Sequence, residues 1–82
     1  MFTEKNNALI AHLDFDDFSA AFAFLAQVAL AAEKMNHHPT ITNTYSKVGL
    51  SLSTHDAGNT VTDKDHKLAK KIEAIAANYP HK

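Results

Sequence analysis

The chain has 82 residues, nine Asp and Glu against eight lysines, a formal net charge of −1 and 45% hydrophobic residues. That length suits one ordinary domain, 1–82, since a second would need roughly 50 residues more, and the apolar content is too high for a disordered chain. Near-neutral charge and the lack of arginine argue against nucleic-acid or phosphate binding, and the lack of cysteine excludes disulfides, thiolate nucleophiles and cysteine zinc sites.

The opening run MFTEKNNALIAHLDF puts charged and amide residues ahead of any apolar stretch, the wrong order for a signal peptide. The longest charge-free apolar stretch lies between Asp17 and Glu33, short of the roughly 20 residues that cross a bilayer. A soluble, cytoplasmic chain with no membrane contact is expected. Residues 1–15 read as a β-hairpin: Phe2 and Thr3 precede a turn at Lys5-Asn6-Asn7, after which Leu9, Ala11, Leu13 and Phe15 alternate with His12 and Asp14. Ile10 interrupts the alternation.

Asp16 to Met35 predicts a long helix. Two aspartates favour its N-terminal dipole, and the alanine- and leucine-rich run that follows holds no glycine or proline. Phe18, Phe22, Leu25 and Ala29 stack on one face, and Ala21, Phe24, Val28, Ala32 and Met35 widen it to about 160°. A face so wide, in a domain too small to enclose it, predicts that part of the helix packs on a partner subunit, with Phe24 and Val28 as candidates for the partner-facing side. A fully enclosed core helix is the alternative.

Pro39 ends helical possibilities and biases His38 toward extended backbone. Ile41, Asn43 and Tyr45 then occupy odd positions and Val48, Leu50, Leu52 and Thr54 even ones, so a turn or bulge is expected around Ser46-Lys47. His55 to Val61 has loop composition, with Gly58-Asn59 at its centre. Thr62 and Asp65 resemble a capping box with a shortened acid, and Leu68, Ile72, Ile75 and Tyr79 form one apolar stripe of a second helix from about Asp63 to Asn78. Its lysines, Lys64 among them, read mainly as a solvated face. The order β-β-α-β-β-α predicts an α+β, two-layer fold with an antiparallel four-stranded sheet and helices on one face.

Histidine is over-represented, with six in the chain. His37 and His38 follow the long helix and His55 ends a strand, positions where a scaffold displays reactive groups. Imidazoles gathered there could both donate and accept protons near neutral pH, with Glu33, Asp56 or Asp65 orienting them. The competing reading is a polar helix terminus, where protonated histidine suits the dipole. His12, His66 and His81 read as surface residues. A metal site of His37, His38, His55 and Asp56 ranks lower, because adjacent histidines seldom point the same way and no HExxH spacing exists. No GxSxG elbow and no glycine-rich phosphate loop are found.

The run Glu33-Lys34-Met35-Asn36-His37-His38-Pro39, then Asn43-x-Tyr45-x-Lys47-Val48, Leu52-Ser53-Thr54-His55-Asp56, Asp65 and Leu68-Ala69-x-x-Ile72-Glu73 closely resembles the pterin-4a-carbinolamine dehydratase family. The likeness spans about Ala8 to Ala76, and EKxxHHP with a later Thr-His is its most specific part. It implies dehydration of 4a-hydroxytetrahydropterin to the quinonoid dihydropterin, in support of aromatic amino-acid hydroxylases and tetrahydrobiopterin recycling, with no metal or organic cofactor. By the same resemblance His37, His38 and His55 would be catalytic, His37 and His55 moving protons and His38 mainly positioning. Glu33, Asn36, Pro39, Thr54, Asp56 and Asp65 would bind substrate. Family members form dimers through their sheets and tetramers through the long helix, so a homodimer or homotetramer through the sheet edge and helix 16–35 is implied, with no nucleic-acid partner.

The chain departs from the family in starting after an expected N-terminal helix and tryptophan, in Thr40 and Ile41 where an aromatic commonly follows HHP, and in Asn36 where aspartate is usual. These changes imply a thinner pocket wall and less aromatic surface for stacking a pterin. A non-catalytic oligomeric binding or regulatory module of the same fold is the alternative function.

Overall fold

A computed structural model describes residues 1–81. Strands β1 (Thr3–Lys5) and β2 (Ala8–Asp14) precede helix α1 (Phe18–Met35); strands β3 (Thr40–Thr44) and β4 (Lys47–Leu52) precede a single 3-10 turn (His55–Ala57) and helix α2 (Asp63–Ala76). The sheet order is β1-β2-β4-β3, every neighbouring pair antiparallel. The α+β architecture and element order match those predicted.

The first hairpin closes on Asn6 and Asn7, both at positive φ (53° and 64°). A two-residue turn of this hand matches strand twist, and asparagine tolerates it better than most residues. Ile10 does not disturb the strand. Leu9, Ala11 and Leu13 are buried, and Ile10 and His12 point to the opposite face. Across the central pair, Leu9 faces Leu52, Ala11 faces Leu50 and Leu13 faces Val48, so one face of the sheet is continuously apolar. The second hairpin turns at Tyr45-Ser46, one residue earlier than expected, with Tyr45 at φ 54°. The Asn43 amide donates to the carbonyls of Tyr45 (3.2 Å) and Lys47 (3.0 Å) and so holds the bend. This two-residue reversal brings Ile41 opposite Leu50 and Asn43 opposite Val48, which accounts for the change from odd to even positions.

Helix α1 starts at an Asp17 cap whose Oδ1 accepts from the Ala20 amide at 2.8 Å. Its length and mean hydropathy, 1.3 over 18 residues, would let it cross a membrane. In this fold Ala21, Phe24, Leu25, Val28 and Ala32 are buried against the sheet and α2.

This corrects the predicted orientation. The anchors are Phe24 and Val28, both 0% exposed within the chain, so neither faces a partner; Phe18 and Phe22 are 49% and 57% exposed and Leu30 65%. Large aromatics dominate a helical projection, but here alanines occupy the close approach and two phenylalanines stack on each other outside, ring centroids 5.7 Å apart. Phe24 instead meets Phe15 at 4.9 Å and the edge of Tyr79 at 6.3 Å. Helix α2 buries Leu68, Ala69, Ile72 and Ala76.

Phe24→Ala should cost about 3–5 kcal/mol by leaving a cavity, read as a lower midpoint in urea denaturation. A midpoint close to that of the wild type would contradict the assigned core face.

Candidate active site

Helix α1 ends because Asn36 turns left-handed (φ 51°, ψ 42°) and its N–H reaches the carbonyls of Ala32 and Glu33. The His37 N–H returns to the Ala32 carbonyl at 3.0 Å. This C-terminal cap, followed by Pro39, sends His37 inward and leaves His38 outside. On the far side, β4 runs into Thr54, whose backbone bonds Thr60 (2.8 Å) and closes the loop that carries His55 and the 3-10 turn. Gly58, at φ 83°, caps that turn. The N-terminus of α2 completes the wall.

Asn36, His37, His38, Ser53, Thr54, His55, Asp56 and Lys64 line one open cleft of about 220 Å³. All three predicted histidines therefore border the same space, although His55 comes from a distant stretch of chain. Asn36, Thr54 and Asp56 of the predicted binding residues also line it. Glu33 stands at its rim, bonded to His38. Pro39 does not line the cleft; it shapes the exit from α1. Asp65 lies beneath the wall, 0% exposed, and meets the cleft only through His37. Ser53 and Lys64 are cleft residues that the sequence reading passed over. Lys64 sat among four lysines read as solvated, and only the position of Asp65 one residue later marked its neighbourhood.

Each imidazole has one nitrogen held from behind. His37 Nε2 lies 2.6 Å from Asp65 Oδ1, His38 Nε2 lies 2.7 Å from Glu33 Oε1, and His55 Nδ1 lies 3.0 Å from Asn59 Oδ1. The three partners are oxygen acceptors, so the bonded nitrogen carries the hydrogen in each ring. The neutral rings then keep a lone pair at Nδ1 of His37 and His38 and at Nε2 of His55. Among the described residues no buried side-chain nitrogen lacks a partner, so the unbonded Nδ1 of His37 is open to solvent despite the ring's burial. Asp56 bonds none of the three imidazoles. Among the described residues no three His, Asp or Glu side chains gather as metal ligands.

Asp65 is the electrostatic centre. Burial alone would push its carboxyl upward, but hydrogen bonds from His37, the Thr62 N–H and the Thr54 hydroxyl, with the attraction of His37, hold it below its ordinary value of 3.8. The Thr62 N–H and the Thr54 hydroxyl each donate to Oδ2 at 2.8 Å. Asp65 is also the acid of the capping box that starts α2. One carboxylate thus caps a helix and anchors an imidazole 28 residues away.

The exposed pair of His38 and Glu33 contrasts with it. Their side chains are 58% and 78% exposed, so water screens the contact and the pair adds little to stability. His12, His66 and His81 lie away from the cleft. His12 stands on the open face of the sheet beside Gly49, and His81 stacks on Phe15 with ring centroids 5.6 Å apart.

Residues 2–75 match the family model described as pterin 4 alpha carbinolamine dehydratase. A provisionally named pterin-4-alpha-carbinolamine dehydratase of Chelativorans sp. (strain BNC1) is 47% identical over 74 residues, which cover 90% of this chain and 74% of the relative. One of the same name from Rhizobium johnstonii is 56% identical over 63 residues, or 77% of this chain and 61% of the relative. A crystal structure titled transcriptional coactivator/pterin dehydratase from Brucella melitensis superposes with a TM-score of 0.85 at 44% identity, covering 92% of this chain and 81% of that one. A pterin dehydratase-like protein described as a RuBisCO assembly factor in the alpha-carboxysome shares the fold, with a TM-score of 0.75 at 21% identity over 93% of this chain and 87% of that one.

Asp65→Asn should destabilise the protein by about 3 kcal/mol at pH 7, because the three donors on the carboxylate would then face an amide N–H₂ or lose a charged acceptor. Because the folded carboxyl lies below its unfolded value, its stabilisation is complete above about 3.8 and is lost as pH falls through the lowered folded value. Urea titrations of wild type and variant should therefore converge below that pH. A gap that does not change with pH would contradict the assigned charge.

Proposed function

The chain belongs to the pterin 4 alpha carbinolamine dehydratase family, and from that premise we propose that it dehydrates a 4a-hydroxytetrahydropterin by histidine acid–base catalysis, supporting tetrahydrobiopterin recycling in the cytoplasm. The observation that carries this reading is the single cleft bordered by three imidazoles, each with one nitrogen held by an acceptor.

In this reaction the C4a–O bond breaks as an acid protonates the hydroxyl, which leaves as water. A base takes the proton from the neighbouring ring nitrogen, and the N–H electron pair becomes the new C=N bond of the quinonoid product. No net proton is gained or lost, so two groups that titrate near neutrality suffice. His37 and His55 border the same cleft and fit these two transfers when one ring enters as the imidazolium, which gives its proton to the leaving hydroxyl, and the other enters neutral, its lone pair taking the ring-nitrogen proton. His37 works from a ring that Asp65 keeps from turning, and His55 presents Nε2 from the 3-10 turn. His38, tied to Glu33 at the rim, positions the substrate together with Asn36, Thr54 and Asp56.

We assign assembly to the surfaces the fold leaves open. β3 is a free sheet edge, and the stacked Phe18 and Phe22 form an exposed apolar stripe on α1, with Leu30 exposed farther round the helix. A homodimer or homotetramer through that edge and that stripe would cover both. The same stripe favours the second reading, a non-catalytic binding module, since a relative of this fold is described as an assembly factor. Activity separates the two readings.

His37→Ala and His55→Ala should each lower kcat/KM for carbinolamine dehydration by roughly 10²–10⁴-fold while the protein remains folded by circular dichroism. Wild-type rates in both would leave the binding module as the correct reading. Phe22→Asp should shift the particle to a smaller mass in sedimentation; an unchanged mass would place any interface elsewhere.

A further inference from the structure

Two threonine hydroxyls stand behind the Asp65 carboxylate. Thr62 Oγ1 and Thr54 Oγ1 are 2.6 Å apart, and Thr54 Oγ1 is 2.8 Å from Asp65 Oδ2. Ionised Asp65 can only accept, so the single Thr54 hydrogen goes to Oδ2. The short contact between hydroxyls then requires the Thr62 hydrogen to point at Thr54. Thr62 is also the N-cap of α2, its side chain facing the Asp65 backbone N–H in the capping box while that N–H donates to the Thr62 carbonyl at 3.0 Å. Every hydrogen in this network is fixed and the bonds converge on Asp65: the two hydroxyls donate toward Oδ2, and His37 Nε2–H donates to Oδ1 from the other side.

We propose that Thr62, through Thr54 and Asp65, is a positioning residue that fixes the tautomer and ring orientation of His37. The inference rests on the dehydratase reading for its kinetic consequence but not for its structural one. Without the Thr62 hydroxyl, Thr54 Oγ1 loses the donor that braces it from behind, its side chain is no longer held at both ends, and the Asp65 carboxylate it supports gains freedom to rotate. The ring of His37 then samples positions in which Nδ1 no longer faces the substrate. Thr62 does not itself line the cleft, so its effect belongs to the chemical step and not to substrate binding. The first turn of α2 and the working orientation of His37 are thereby one cooperative unit.

The test combines ¹⁵N NMR of the histidine rings with steady-state kinetics on the full chain. Wild type should show His37 as a single tautomer with hydrogen on Nε2. Thr62→Val should give averaged ring shifts for His37 alone and lower kcat roughly 10–100-fold with KM little changed, the scale expected when a reacting group is slightly misplaced. Thr62→Ser, which keeps the hydroxyl, should restore both signals. Thr54→Val leaves the helix cap intact and should reproduce the NMR change, and Asp17→Ala, which removes the cap of α1, should leave the His37 shifts as in wild type. The proposal is overturned if His37 keeps its wild-type shifts in Thr62→Val, whatever Thr54→Val does, or if Asp17→Ala moves them equally. Absent dehydration in wild type, with the NMR pattern as expected, would sink the dehydratase reading alone.

Discussion

The 2.6 Å contact between His37 and Asp65 ties the whole molecule together. It joins the end of α1 to the start of α2 inside the protein, at a point where the carboxylate is wholly screened from water. A buried charge is costly unless every lone pair is used, and this one is supported by an imidazole, a hydroxyl and a backbone amide. Those donors come from three separate stretches of chain. The bond can form only when both helices lie on the same face of the sheet and β4 delivers Thr54 to the right place, so the cleft is assembled by the fold itself.

Rigid and adjustable elements are divided accordingly. His37 is held by the core, whereas His38 and Glu33 form an exposed pair at the rim and His55 rides on a short turn braced by Gly58 and Asn59. On the proposed reading, removing a hydroxyl and a proton from one small heterocycle calls for one fixed group and room for the substrate to enter, and a core-held His37 beside an open cleft fits both. Exposed apolar side chains remain on α1, at Phe18, Phe22 and Leu30, and on the second hairpin, at Ile41 and Tyr45, none of them among the residues that line the cleft.

Much of this was legible in the sequence. Alternation in Leu9, Ala11 and Leu13, the Asn6-Asn7 turn, the Thr62 and Asp65 cap and the HHP run each depend on neighbours within a few residues, and each appeared where local rules put it. The three carboxylates able to orient an imidazole were also identifiable, but their allocation was not. Asp65 serves His37 from 28 positions away, Glu33 serves His38, and Asp56 serves neither. That choice is made by long-range packing, which periodicity does not encode. The misread face of α1 has the same origin. Phe18 and Phe22 weigh heavily in any hydrophobic projection, yet the space between α1, α2 and the sheet admits alanine at positions 21 and 32 and leaves the two aromatics outside.

The central claim is that a pterin occupies the cleft between His37 and His55. A titration of the ¹⁵N-labelled protein with a stable oxidised pterin, followed by two-dimensional NMR, tests it most directly. Saturable shifts concentrated at residues 36–38 and 53–56 and at Lys64, with His12 and Gly49 on the open sheet face unmoved, are the predicted result. Shifts centred on His12 and Gly49, or none at millimolar pterin, would contradict it.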